Sequence, residues 1–220
     1  MDLSRYKTAI FDCDGVILDS NAVKSRAFGL ALKGEDPELV SAFVKYHQAN
    51  GGISRYVKFE YFFTDIKGQI DYESDLKAAL NRYAQLSESG LLGCAEIAGV
   101  REILTYFKEN NIPCHLVSGG DQEEVRHVLT ARGLSEYFTG IYGSPVTKLE
   151  HLSELKGRNE LSDSCIYFGD AKTDLLAANE FDMKFVFVKG VSEWEDGEKV
   201  CADQENISVI IDFSRLIDKG

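Results

Sequence analysis

Two aspartates separated by a single residue, in Asp12-Cys13-Asp14-Gly15-Val16, follow directly on the apolar run Ala9-Ile10-Phe11. Side chains at i and i+2 of an extended segment point the same way, so both carboxylates face one side. Carboxylates that close repel unless a cation lies between them or one holds a proton, and either arrangement suits metal-assisted chemistry better than a core. Standing alone, the pattern reads equally as a turn, because Asp and Gly are common turn residues. Cys13 projects away from the two aspartates and reads as a small buried hydrophobe, not as a nucleophile.

Three later groups have comparable placement. Cys114-His115-Leu116-Val117 ends in Ser118-Gly119-Gly120, Lys148 closes Pro145-Val146-Thr147-Lys148, and Cys165-Ile166-Tyr167-Phe168 ends in Gly169-Asp170-Ala171-Lys172-Thr173-Asp174. Each has an ordinary structural alternative: Ser118 and Asp170 as helix caps, Lys148 as a solvated surface residue.

The elements that must position these groups are legible as an alternation. Short apolar runs near residues 8 to 12, 113 to 117, 165 to 168, 184 to 188 and 207 to 211 are separated by helical patterns near 99 to 110, 121 to 132, 148 to 156, 172 to 181 and 213 to 218. Continuously apolar strands between helices predict a parallel sheet covered on both faces, a doubly wound, Rossmann-like α/β core. Ligands of such sheets bind at the carboxyl ends of the strands, where Asp12, Ser118 and Asp170 fall. Residues 16 to 93 break the rhythm and read as helices only. Ser20 or Asn21 caps a helix to Leu32, Pro37 opens a second to Gly51, Ser54 caps a third, and a fourth runs from Tyr72 to about Leu86. The expected domains are an α/β core of residues 1–15 and 94–220 with an all-α cap of residues 16–93.

The aspartate pair, the strand-terminal serine, the lone lysine and Gly-Asp-x-x-x-Asp, in that order, resemble the haloacid dehalogenase-like superfamily. The inserted helices resemble the α-helical cap of its phosphoglycolate phosphatase and β-phosphoglucomutase branch. The resemblance implies a Mg²⁺-dependent phosphatase acting on a small phosphorylated metabolite through an aspartyl phosphate. It implies Asp12 as nucleophile and Asp14 as general acid and base, protonated when substrate arrives. Ser118 and the Gly119 amide, at a helix N-terminus, would hold phosphate, and Lys148 would neutralise charge. Asp12, Asp170 and Asp174 would hold the metal, with the Asp14 backbone carbonyl. Gly15 joins the substrate-contacting set. Gly51-Gly52-Ile53-Ser54-Arg55 resembles the specificity loop of the branch, which makes Arg55 the candidate for the substrate's non-reacting end, with His47 and Lys58 in the same cleft. By residue type alone, Arg55 is an exposed side chain after a helix stop.

A phosphomutase would use the same four catalytic residues and is the alternative. Dehalogenase chemistry fits less well, since those relatives lack the second aspartate of the first motif. A non-catalytic binding protein would be expected to have lost one of these groups.

The 220 residues are 44% hydrophobic and 27% charged, with a formal net charge of −12. That is the composition of an ordinary globular protein, and its acidity argues against nucleic acid or an anionic membrane as partner. An anionic substrate must then be drawn by local cations. No apolar stretch reaches the roughly 18 residues of a membrane span, and the N-terminus lacks a signal-peptide layout, so the expected compartment is the cytoplasm. Five unclustered cysteines imply neither a zinc site nor a disulfide framework, and His115, His127 and His151 have no metal-ligand spacing. The stretch around Trp194 carries no functional reading.

Overall fold

The computed structural model describes residues 1–202, 204 and 206–216. A six-stranded parallel sheet forms the centre: β1 (Thr8–Phe11), β2 (Cys114–Asp121), β3 (Gly140–Ser144), β4 (Cys165–Gly169), β5 (Lys184–Val188) and β6 (Ile207–Ile210). Its order is β3-β2-β1-β4-β5-β6, every pairing parallel. The order reverses direction at β1, so the crevice between the ends of β1 and β4 is the topological switch point of the sheet. The register sets Phe11 beside Phe168, and the Asp12 amide donates to the Phe168 carbonyl at 2.9 Å. Asp12 and Asp170 therefore leave adjacent strands at the same level.

Helices α5 (Val100–Glu109), α6 (Gln122–Ala131), α7 (Lys148–Gly157) and α8 (Lys172–Glu180) connect and cover the strands, and the short α9 (Gly197–Ala202) precedes β6. On one face Phe11 stacks on Phe168 with ring centroids 4.7 Å apart and meets Phe107 edge-on. On the other, Tyr167, Leu152 and Phe185 form a second apolar layer. With both faces covered, β1 is buried at every position, as its apolar run Ala9-Ile10-Phe11 requires. Truncating Phe11 to alanine would cost about 3–5 kcal/mol.

Between β1 and α5 the chain forms α1 (Asn21–Ala31), α2 (Pro37–Ala49), α3 (Arg55–Tyr61) and α4 (Glu73–Gly93), with one wide turn of helix at Phe62–Ile66. These helices bury an aromatic cluster of their own, with Phe28, Phe43, Phe59, Phe62 and Tyr83 in mutual contact.

Several elements depart from the sequence expectation. Strand β3, with two glycines and only partial burial, was not anticipated, and neither was α9. Helix α4 runs to Gly93, well past Leu86. No helix forms at 213–216, where the chain makes turns, and the remainder of the helix expected at 213–218 lies outside the described residues. No helix among the described residues is long and apolar enough to cross a membrane.

Candidate active site

At the switch point the carboxylates of Asp12, Asp170 and Asp174 are all buried, and one oxygen of each lies within 4.8 Å of the others. Lys148, the first residue of α7, is set by a capping box in which Thr147 and Glu150 satisfy each other's backbone. Its ammonium reaches Asp12 Oδ1 at 3.0 Å and Asp174 Oδ1 at 2.5 Å. At 6% exposure it is no surface lysine. Burial alone would lower its pKa, but Asp12 and Asp174 hold it well above the ordinary lysine value.

Asp174 is the most completely bonded group of the cluster. Its Oδ2 accepts from the backbone amides of Asp170 and Ala171 at 3.2 and 3.0 Å, and Oδ1 accepts from Tyr167 Oη at 3.0 Å as well as from Lys148. Asp174 thus ties down the start of α8, and Asp170 is not the helix cap. Asp170 Oδ2 instead accepts from Asn21 Nδ2 at 2.6 Å, and Asn21 also donates to the Val191 carbonyl at 3.0 Å. Burial, Asp12 and Asp174 together push the Asp170 carboxyl well above the usual range. Burial pushes Asp12 up as well, to about 7, against the pull of Lys148.

Three buried carboxylates sharing one lysine are short of positive charge. Hard oxygen donors this close fit a small divalent cation, so the donor set matches the metal that the sequence resemblance implies. Asp14 contributes no carboxylate to that set. Its side chain turns toward the inserted helices, where Lys24 Nζ donates at 2.5 Å and Ser20 Oγ at 2.6 Å. Burial favours the neutral acid, but the Lys24 charge and these two hydrogen bonds outweigh it and hold Asp14 below the ordinary aspartate value. The resemblance implies a protonated Asp14 when substrate arrives; without substrate, Lys24 and Ser20 favour its ionised form.

Ser118 and Gly119 lie within β2, not at a helix N-terminus. The strand continues to Asp121, which caps α6 by accepting from the Glu124 amide at 3.0 Å, and Ser118 Oγ accepts from the Gly120 amide at 2.9 Å. Gly119 packs backbone to backbone against Gly52, and a Cβ on Gly119 would collide with the Gly52 carbonyl. Gly15 has φ +73°, and a side chain there would strike Asp170 and Asn21. It shapes the turn after β1. Cys13 joins the apolar core, where burial pushes its thiol well above the ordinary value, so it is no nucleophile.

The inserted helices close over this centre. Thr173 Oγ1 donates to the Gly51 carbonyl at 2.9 Å, and Tyr56 Oη donates to Asp121 at 2.7 Å. Arg55 is 5% exposed, ion-paired with Glu124 of α6, and its guanidinium carbon lies 4.6 Å from the Tyr83 ring centroid. A cavity of about 60 Å³ remains, bounded by Asp12, Asp14 and Asp170 below and by Lys24, His47, Arg55 and Lys58 above. Glu193 and Trp194 reach the same cavity from the loop after β5, and Glu193 accepts from Ser25 Oγ at 2.9 and 2.8 Å.

Sequence reasoning missed Asn21, Lys24 and Glu193. The first two carried a usable signal: Lys24 follows Ser20 by four residues and Asn21 by three, which sets them on one helix face beside the aspartate loop. Glu193 carried none.

Residues 9–188 match the family model for haloacid dehalogenase-like hydrolases. A phosphoglycolate phosphatase of Photobacterium profundum is 27% identical over 230 residues, covering 96% of this chain and 94% of that one. A 2-hydroxy-3-keto-5-methylthiopentenyl-1-phosphate phosphatase of Microcystis aeruginosa is 31% identical over 102 residues, 40% of this chain and 49% of its own. Among solved structures, a predicted phosphoglycolate phosphatase from Haemophilus somnus 129PT superposes with a TM-score of 0.76 at 17% identity, covering 98% of each chain. A β-phosphoglucomutase from Clostridium difficile gives 0.71 at 22% identity, over 97% of this chain and 94% of that one. The fold, the carboxylate cluster at the switch point and the span of the family match lead to one conclusion: this chain belongs to the haloacid dehalogenase-like hydrolases.

Proposed function

We propose that this protein is a divalent-metal-dependent phosphatase of a small phosphorylated metabolite, working through an aspartyl phosphate on Asp12. The observation that carries the reading is the bridge of Lys148 between Asp12 and Asp174, with Asp12 itself at the wall of the cavity under the inserted helices. A carboxylate attacks an anionic phosphate only where cations offset the repulsion, and Lys148 stands beside the Asp12 carboxylate. Asp12, Asp170 and Asp174 would hold Mg²⁺, with the Asp14 carbonyl by family resemblance. Bound there, the metal would supply Lewis-acid charge neutralisation at the phosphoryl group.

The residues divide the remaining work. Asp12 forms a bond to phosphorus as the bond to the leaving oxygen breaks, and that oxygen takes a proton from the Asp14 side. Asp14 then accepts a proton from the water that displaces Asp12 and releases phosphate. Asp14 carries that first proton when substrate binds, and Lys24 and Ser20 orient its carboxyl. Ser118 and the amide of Gly119 complete the phosphate cradle.

Residues 16–93 act in this reading as a cap domain on the core formed by 1–15 and 94–220. The closed cavity is small, so substrate enters when the cap lifts, and closure excludes water from the phosphoryl group. The Photobacterium relative's name supports a small phosphorylated acid as substrate. Rapid acid quench during turnover, followed by peptide mass analysis, tests the intermediate. A single phosphoryl group on the peptide containing Asp12, absent without Mg²⁺, supports the reading; label on another residue, or none in pre-steady state, overturns it.

A further inference from the structure

Of the cations at the site, Lys172 lines the cavity as an exposed side chain, and three buried ones are already neutralised. Lys24 is bound to Asp14, Lys148 to Asp12 and Asp174, and Arg55 to Glu124. Lys58 is different. It is 2% exposed, its Nζ contacts His47 Nδ1 at 2.7 Å and the His47 carbonyl at 3.4 Å, and it lies 5.3 Å from the Phe28 ring centroid. Among the described residues it pairs with no carboxylate. A buried ammonium without a counter-charge is expensive, and burial, reinforced by the nearby Lys24 charge, draws Lys58 down to about 7.

His47 repeats the pattern. Against the protonated lysine its Nδ1 is the acceptor, which assigns the ring hydrogen to Nε2. That nitrogen is buried and has no hydrogen-bond partner, and its residue lines the same cavity. Glu193 Oε2, at 4.0 Å, stands beyond hydrogen-bond reach and is held instead by Ser25 and Gln48. Two adjacent residues at one cavity wall thus carry an ammonium with no carboxylate and a ring nitrogen with no partner among the described residues. Buried donors left unpaired are rare, and at a cavity wall a ligand can supply what they lack.

We propose that Lys58 and His47 form a second oxyanion subsite, which takes a carboxylate or a second phosphate at the non-reacting end of the substrate. The proposal rests on the phosphatase reading for the reacting end. It reassigns the role that the loop motif suggested for Arg55, whose guanidinium is committed to Glu124 and Tyr83. Arg55 then braces the cap on α6, and Lys58, one helical turn further along α3, reads the substrate.

The test compares esters of similar length that differ at the remote end: 2-phosphoglycolate, ethylene glycol bisphosphate and ethyl phosphate, each with Mg²⁺. The wild-type protein is expected to prefer at least one of the two oxyanion-terminated esters over ethyl phosphate by about tenfold or more in kcat/KM, and the better of the two names the group. Lys58→Met is expected to collapse that ratio, mainly through KM, and Lys58→Arg to restore part of it. Equal use of all three esters by the wild type, or a ratio that survives in Lys58→Met, overturns the subsite. Both variants are checked for a wild-type unfolding transition.

A titration independent of turnover separates this idea from the phosphatase reading. With Mg²⁺ present, 3-phosphonopropionate and ethane-1,2-bisphosphonate are each titrated against propylphosphonate. Tighter binding of either, lost in Lys58→Met and retained in Lys58→Arg, supports the subsite even if no ester is hydrolysed. Indifference to the remote group overturns it even if phosphate is released.

Discussion

Lys24 Nζ lies 2.5 Å from Asp14 Oδ2, with both side chains largely withdrawn from solvent. The lysine rides on α1, the first of the inserted helices, while Asp14 belongs to the loop that leaves β1. One contact therefore couples the position of the helical insertion to the charge on the residue assigned to proton transfer. When α1 moves away, Asp14 loses the partner that keeps it ionised.

Lys24→Met should lower stability by about 3 kcal/mol, because it leaves a buried carboxylate unpaired. It should also move the pH profile of kcat upward, because burial then raises the Asp14 pKa without the opposing Lys24 charge. Urea unfolding and steady-state kinetics read the two effects separately. A variant equal to wild type in both would show that the pair is incidental.

Asp14→Asn should bind Mg²⁺ as wild type does, because the Asp14 carboxyl faces Lys24 and Ser20 and not the carboxylate cluster. Turnover should fall by about 10²–10⁴-fold on an alkyl phosphate, the usual scale of general acid–base catalysis. Calorimetric titration with Mg²⁺ beside a phosphate-release assay checks both halves. Unchanged release would remove Asp14 from the mechanism.

Asp174 accepts two backbone amides, the Tyr167 hydroxyl and Lys148 while fully buried. Asp174→Ala should cost about 3 kcal/mol or more of stability, because it orphans several donors at once. Asp174→Asn, which keeps one acceptor oxygen, should lose less stability while still weakening Mg²⁺ binding. A metal affinity unaffected by either change would take Asp174 out of the metal site.

What could be read in advance follows from locality. Strands β1, β2, β4 and β5 were visible because a strand buried on both faces is a continuous apolar run, and the partly buried edge strand β6 because Ile207, Val209 and Ile210 keep it apolar. Gly140–Ser144 was not, because two glycines dilute the run of a partly buried edge strand. The carboxylates and Lys148 were legible because each stands where a strand ends or a helix starts. The state of Asp14 was hidden, since it depends on Lys24, and Lys24 meets Asp14 only after the chain turns through Gly15 into α1. Arg55 was misjudged as free for the same reason: its partner Glu124 is 69 residues away.

His47 should make the fold sensitive to mild acid. Burial and the Lys58 charge lower its pKa from 6.5 to about 2, so the folded protein stays neutral there while the unfolded chain takes up a proton below 6.5. Its contribution is intact above 6.5 and is lost as pH falls. Between about pH 7.5 and 5.5 the wild type should lose roughly 1 kcal/mol more stability than His47→Gln. Parallel loss in the two proteins, measured by urea unfolding at each pH, would contradict the burial of a neutral imidazole.

The most direct test of the account is phosphate release from a panel of small phosphate esters by the wild type and by Asp12→Asn, each with Mg²⁺ and with chelator. The account predicts release by the wild type with Mg²⁺ alone, abolished by chelator and by the substitution. Release that survives either the chelator or the loss of the Asp12 carboxylate would contradict it.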